Sequence, residues 1–172
     1  MGLLFYAGQN LRASQLQKLV PLQVIRGTAQ TIINTTTLAD DAILFFTGLP
    51  PSTTYKMYSK IIYQSSTTAD FKLGWSCSGT GATLTWSQGA MDSTSSVAQS
   101  PVNHTALTLT DNGNYGGVSA TGTAMTGRPE GTLFTGTGSA ITFKFRWAQN
   151  TIDAVNGTSL GAGSEITLVQ IP

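Results

Sequence analysis

The chain has 172 residues, a net charge of +1 and charged side chains at only 10%, against roughly 25% in an average soluble domain. One cysteine leaves no disulfide framework and no cysteine-based zinc site, and one histidine with eight acids leaves little catalytic stock. The balanced charge speaks against an electrostatic nucleic-acid binder, the 40% hydrophobic fraction against disorder, and no apolar run reaches the ~18–20 residues of a membrane helix.

Residues 1–21 stand apart from the rest. Leu3, Leu4, Phe5 and Tyr6 form an apolar tip, which Gly8-Gln9-Asn10 interrupts. Ser14 with Gln17 fits a capping box, and Leu16, Leu19 and Val20 then line one side of a short helix that Pro21 ends. The segment carries Arg12 and Lys18 but no acid. It is a poor signal peptide, with neither a basic start nor a long apolar centre. So short a helix is marginal alone, and a disordered tail would not carry Leu3, Leu4, Phe5, Tyr6, Leu11, Leu16 and Leu19. The expectation is an anchoring arm, formed by these seven together with Arg12, that docks on a neighbouring subunit or a larger assembly.

From residue 22 onward the hydrophobic period is two. Leu22–Ile25 and residues 30–34 are short β-rich runs, and residues 42–46 (AILFF) form a nearly continuous apolar strand behind Asp40-Asp41. In Thr54–Gln64, Tyr55, Met57, Ile61 and Tyr63 fall on one face, with Lys56, Tyr58 and Lys60 on the other. Phe71, Leu73, Trp75 and Cys77 alternate in the next strand, and Leu84 and Trp86 mark another. Residues 87–103 read as a long polar loop. Leu107 and Leu109 sit on a strand closed by the hairpin signal Asp111-Asn112-Gly113, with residues 118–124 as its partner. Residues 127–131 read as a turn or loop, followed by a short strand over residues 132–134. Ile141, Phe143, Phe145 and Trp147 then point inward, Asn156-Gly157 turns the chain, and Glu165–Ile171 is the last strand.

Eight to ten short strands punctuated by Gly- and Asn-rich turns predict an all-β fold, an antiparallel β-sandwich (jelly roll), over residues 22–172. The 27 threonines and 16 serines then suit the solvent faces of strands. An O-glycosylated stalk would need interspersed prolines in a low-complexity tract.

No catalytic, metal-binding or cofactor-binding residues are expected. His104 lies in a polar loop without a serine elbow or a neighbouring acid. Adjacent residues on a strand point to opposite faces, so Asp40 and Asp41 do not converge on one substrate atom, and they read as a turn leading into the strand at residues 42–46. Asp111-Asn112-Gly113-Asn114 begins like a calcium loop but lacks its bidentate glutamate. Cys77 alternates with Trp75 and reads as a buried, inert thiol. Trp75, Trp86 and Trp147 are in phase with their strands' apolar residues, which makes them core before sugar platform. The Asn34, Asn103 and Asn156 acceptor triplets carry little weight without a secretory signal.

Two stretches carry a family resemblance. Residues 131–150 (GTLFTGTGSAITFKFRWAQN), followed by Thr158 and residues 163–168, form a glycine turn, an alternating strand ending in Trp147-Ala-Gln-Asn150, and a final strand. Residues 34–44 (NTTTLADDAIL), with Thr53-Thr-Tyr55, Ile61-Ile-Tyr63 and residues 68–75 (TADFKLGW), look like the early strands of the same domain type, and residues 11–21 (LRASQLQKLVP) like its leader. Over about two-thirds of its length the chain resembles virion structural proteins of tailed double-stranded DNA bacteriophages, especially those of actinobacterial hosts. Glu165 and Val169-Gln170-Ile171 depart from that pattern, which has an aromatic or aliphatic residue and a basic one there.

The resemblance implies a non-enzymatic virion component with a jelly-roll domain. Its expected function is capsid decoration: a homotrimer on the outside of the head, bound to the major capsid protein and stabilising the shell. The alternative is a tail-fibre or receptor-binding module that recognises a host surface glycan through loops 87–103 and 115–131. Neither a nucleic-acid nor a membrane partner is expected.

Overall fold

The computed structural model describes residues 20–91, 102–103 and 106–171. The expected helix and all eight anchoring residues (Leu3, Leu4, Phe5, Tyr6, Leu11, Arg12, Leu16 and Leu19) lie outside the described residues, as does His104. Among the described residues the secondary structure is entirely strand. In chain order the strands are β1 (Leu22–Ile25), β2 (Gln30–Ile32), β3 (Ala39–Leu49), β4 (Thr54–Gln64), β5 (Phe71–Cys77), β6 (Thr83–Ser87), β7 (Ala90–Met91), β8 (Val102–Asn103), β9 (Ala106–Thr108), β10 (Gly113–Tyr115), β11 (Met125–Gly127), β12 (Glu130–Phe134), β13 (Ile141–Gln149), β14 (Thr158–Leu160) and β15 (Glu165–Ile171).

Two antiparallel sheets face each other. The larger runs β1-β15-β4-β12-β6-β9, with β2, β14 and β11 attached, and the smaller runs β10-β5-β13-β3. Take β1, β3, β4, β5, β10, β12, β13 and β15 as strands one to eight. The central orders are then 1-8-3-6 and 2-7-4-5, the arrangement of a jelly roll. The hairpin-like insertion β6 and β9 widens the first sheet beyond β12, and β7 pairs with β8 as a separate ribbon.

The strands outnumber the eight to ten expected because three lines of the larger sheet are broken and β7 and β8 add a separate two-stranded ribbon. Arg26 to Ala29 separates β1 from β2, and Gly161 to Ser164 separates β14 from β15. These segments bond across the break, Arg26 N–H to Ser164 O at 2.8 Å and Gly163 N–H to Arg26 O at 2.7 Å. Gly163 has φ +81, which glycine adopts without a Cβ penalty. Between β11 and β12 stands Pro129, which has no N–H to give the ladder.

Several expectations change accordingly. Residues 127–131 are strand except at Arg128 and Pro129 rather than one turn or loop, since Gly127 pairs with Ile61 and Glu130 with Tyr58. The Leu107 strand pairs with β6, not with residues 118–124, which form no strand beyond a single bridge from Ser119 to Ser65. Asp111-Asn112-Gly113 therefore carries the chain from one sheet to the other, as β10 pairs with β5. Its Asp111 carboxylate accepts from Thr108 N–H at 2.7 Å and Thr108 Oγ1 at 2.8 Å. Asp40 and Asp41 lie within β3 rather than in a turn before it.

The core fills the gap between sheets. Tyr55, Met57, Ile61 and Tyr63 of β4 are buried, as are Phe143, Phe145 and Trp147 of β13, so the alternation inferred from sequence is the alternation of the structure. Trp75 stacks on Phe143 with centroids 5.1 Å apart and meets Trp86 edge-on at 6.1 Å. Phe71 stacks on Trp147 at 5.8 Å. All three tryptophans are core. Each fully buried large side chain contributes about 1.5–3 kcal/mol.

Candidate functional site

Asp40 and Asp41 do point apart. Asp41 is buried and pairs with Arg26 at 2.6 Å, bridging the two sheets. Its Oδ1 accepts from the Ile43 and Leu44 N–H groups at 2.9 and 2.8 Å, and its Oδ2 from Trp147 Nε1 at 3.2 Å. These bonds stabilise the irregular middle of β3, where its register against β13 shifts. Arg26 Nη2 donates to Gln30 Oε1 at 2.8 Å. On the outer face, Asp40 accepts from Lys144 Nζ at 2.9 Å and Ser76 Oγ at 3.1 Å, and Arg146 Nε lies 3.2 Å away. The Lys144 hydrogen bond leads the causes that hold the Asp40 carboxyl below its usual range. Neither acid faces an open cleft together with the other.

Cys77 is half-buried, less than expected. Burial pushes its thiol up and outweighs the lowering by the Gly79 backbone, consistent with a poorly nucleophilic sulfur. Among the described residues no three His, Cys, Asp or Glu side chains gather as a metal site, and no helix is long and apolar enough to cross a membrane.

One end of the sandwich carries a tightly bonded loop that the sequence reading passed over. The Asp153 carboxylate accepts from Val155 N–H (2.9 Å), Asn156 N–H (2.8 Å), Asn156 Nδ2 (3.1 Å) and Ser66 Oγ (2.9 Å). The buried Gln149 side chain donates to the Asp153 and Asn156 carbonyls. Ile33, Ile152 and Val155 are exposed at this end. The backbone N–H groups of Asn156 and Val155 are the leading causes that hold Asp153 near pKa 2, below its ordinary 3.8. A depressed carboxylate stabilises the fold above its unfolded pKa and loses that contribution as pH falls through the folded one. Stability measured by urea titration is therefore expected to decline between about pH 4 and pH 2, and more gently in Asp153→Asn. An equal decline in both proteins would remove Asp153 from the cause.

Two surfaces remain that could engage another molecule. The first is the edge where the chain enters the sandwich. β1 and β3 are outer strands of their sheets and lie beside each other. Val20 (62% exposed), Leu22, Ile25 (53%) and Ile43 present apolar side chains there.

The second is the outer face of the larger sheet. Cross-strand register sets Ala106, Ser87, Glu130, Tyr58, Thr167 and Gln23 in one row across six strands. The neighbouring row contains Thr108, Thr85, Thr132, Lys56 and Val169. Two adjacent depressions, of about 350 and 280 Å³, share Tyr58 and Glu130. Lys56 Nζ donates to Thr132 Oγ1 at 2.9 Å, and Lys60 pairs with Glu165 at 3.4 Å. Sequence reasoning placed Tyr58 on the solvent side of β4 but did not bring Glu130 to it. Their meeting depends on a strand pairing that chain order does not announce.

No protein-family model matches the chain, and no curated protein matches it.

Proposed function

We propose that the chain is a structural component of a phage particle: a capsid decoration protein that binds the outside of the head as a homotrimer and stabilises the shell. In this reading residues 1–21 fasten each jelly roll to the major capsid protein or to its neighbours, and the sandwich projects outward. The observation that carries it is the surface at the arm's exit. The arm's sequence is apolar and acid-free, and it leads into the outer strand β1, where Leu22 and Ile25, with Val20 just before them, are exposed; burying this edge together with the arm's apolar side chains would be favourable. The likeness of the Trp147-Ala-Gln-Asn150 strand and its surroundings to phage virion proteins supplies the kind of particle.

Several arm leucines and aromatics, buried at ~1.5–3 kcal/mol each and repeated over three linked subunits, would hold by avidity rather than by one strong contact. A surface rich in Ser and Thr and poor in net charge would also let many copies crowd together without strong mutual repulsion. Deleting residues 2–20 is expected to abolish attachment to purified heads in a sedimentation assay and to leave a folded sandwich by circular dichroism. Normal coating of heads by the truncated protein would overturn this role for the arm.

A further inference from the structure

The outer face of the larger sheet concentrates the chain's scarce chemistry. Five of its 17 charged residues, Lys56, Lys60, Arg128, Glu130 and Glu165, surround one exposed aromatic ring, Tyr58, at 47% exposure. Among the described residues, Tyr58 is the only exposed aromatic of the large apolar set. Lys56 and Lys60 are engaged, with Thr132 and Glu165 respectively. The Glu130 carboxylate, the Arg128 guanidinium and the Tyr58 hydroxyl have no side-chain partner among the described residues. Glu130 and Tyr58 are direct cross-strand neighbours, so an acceptor and a flat ring stand side by side at the junction of two depressions.

We infer that this trough is a binding site for a neutral oligosaccharide, a ligand of the hydroxyl-rich class. An exposed ring offers its negative π face to the positively polarised C–H groups of a pyranose. A free carboxylate accepts two hydroxyl donors at once, and Arg128 supplies donors to ring and hydroxyl oxygens. The flanking Thr85, Ser87, Thr132 and Thr167 each donate or accept as the ligand requires.

Competing occupants fit less well. β4 and β12 are bonded on both sides, so an extended peptide finds no open backbone edge to join. Three cations beside two anions make no phosphate track, as a nucleic acid would require. The six-strand row spans about 24 Å at ~4.8 Å between strands, which suits a chain of several sugars rather than a single one. This site lies on a sheet face, to which Ser87, Arg128 and Glu130 come from the two segments where the sequence placed glycan recognition, and it does not depend on the attachment role proposed for residues 1–21.

The test uses the full chain and a panel of glucose, mannose, galactose and N-acetylglucosamine hexasaccharides, read by isothermal titration and saturation-transfer NMR. At least one member is expected to bind. Tyr58→Ala is expected to weaken that binding at least tenfold, Glu130→Gln at least threefold, and the edge variant Ile43→Ser less than twofold, with melting temperatures of all three near wild type. Light scattering on the same variants reports whether a second copy occupies the face instead. No binding by any panel member at millimolar concentration would overturn the inference, as would binding that survives Tyr58→Ala or an oligomeric state that changes with it.

Discussion

Asp41→Ala is expected to destabilise the sandwich by about 5 kcal/mol and Arg26→Ala by about 3 kcal/mol, the two ends of the range for breaking a buried ion pair. The order follows from what each change leaves behind. Without Arg26, the Asp41 carboxylate keeps the Ile43 and Leu44 N–H groups and the Trp147 indole. Without Asp41, those donors lose their acceptor, and Arg26 is left with Gln30 and a buried Nε that has no partner. Urea unfolding of both variants checks the order. At this chain length each kcal/mol is worth ~2–4 °C in melting temperature, so the two variants should also separate in a thermal scan. Losses below 1 kcal/mol in both would show that the pair is not the cross-sheet clamp its geometry describes. Asp41→Asn should fall between the two, since an amide oxygen in place of Oδ1 can still accept from the backbone.

Trp75→Ala should be comparably severe, at about 3–5 kcal/mol. Trp75 is the hub of the aromatic seam, stacked on Phe143 and edge-on to both Phe145 and Trp86, so its removal strips a neighbour from three rings at once. Trp75→Phe should cost only about 1–2 kcal/mol. The phenyl ring keeps the stacking on Phe143, and the change deletes an indole N–H that is buried without an acceptor, which offsets part of the lost volume. Trp147→Phe makes the contrast, because its indole N–H donates to Asp41. A Trp75→Phe loss equal to the Trp75→Ala loss, measured by urea unfolding, would show that the stacking is not what the ring contributes.

Period-two alternation made individual strands legible. β4 and β15 begin and end at the residues where the pattern does, and β13 inverts its exposure at every step from Ile141 to Trp147, because burial on one face is what the pattern encodes. Which sheet a strand joins was not legible. Leu107 and Tyr115 are close in the chain, yet β9 and β10 belong to opposite sheets, and the turn residues Asp111-Asn112-Gly113 serve a corner as well as a hairpin. The very short β14 and β10 were missed because three residues are too few to show a period. Asp40 and Asp41 were assigned correctly to opposite faces, but the partner of Asp41 was hidden: Arg26 sits at a break between two strands, where no alternation marks it as inward. The trough around Tyr58 is invisible in the sequence for a similar reason, since Glu130 stands in a Gly- and Pro-containing segment that reads as a turn or loop.

The place of β15 in the sheet bears on how the protein is made. The last strand of the chain lies between β1 and β4 and hydrogen-bonds to both, with Leu168 facing Leu22 on one side and Met57 on the other. A ribosome extends the chain at only about 5–20 residues per second, so β1 and the flank of β4 wait unpaired until residues 165–171 have been made. The sheet can close only once residues 165–171 have cleared the exit tunnel. Folding is thus of the slow, non-local kind, and a chain stopped short of residue 165 would lack the middle of its larger sheet.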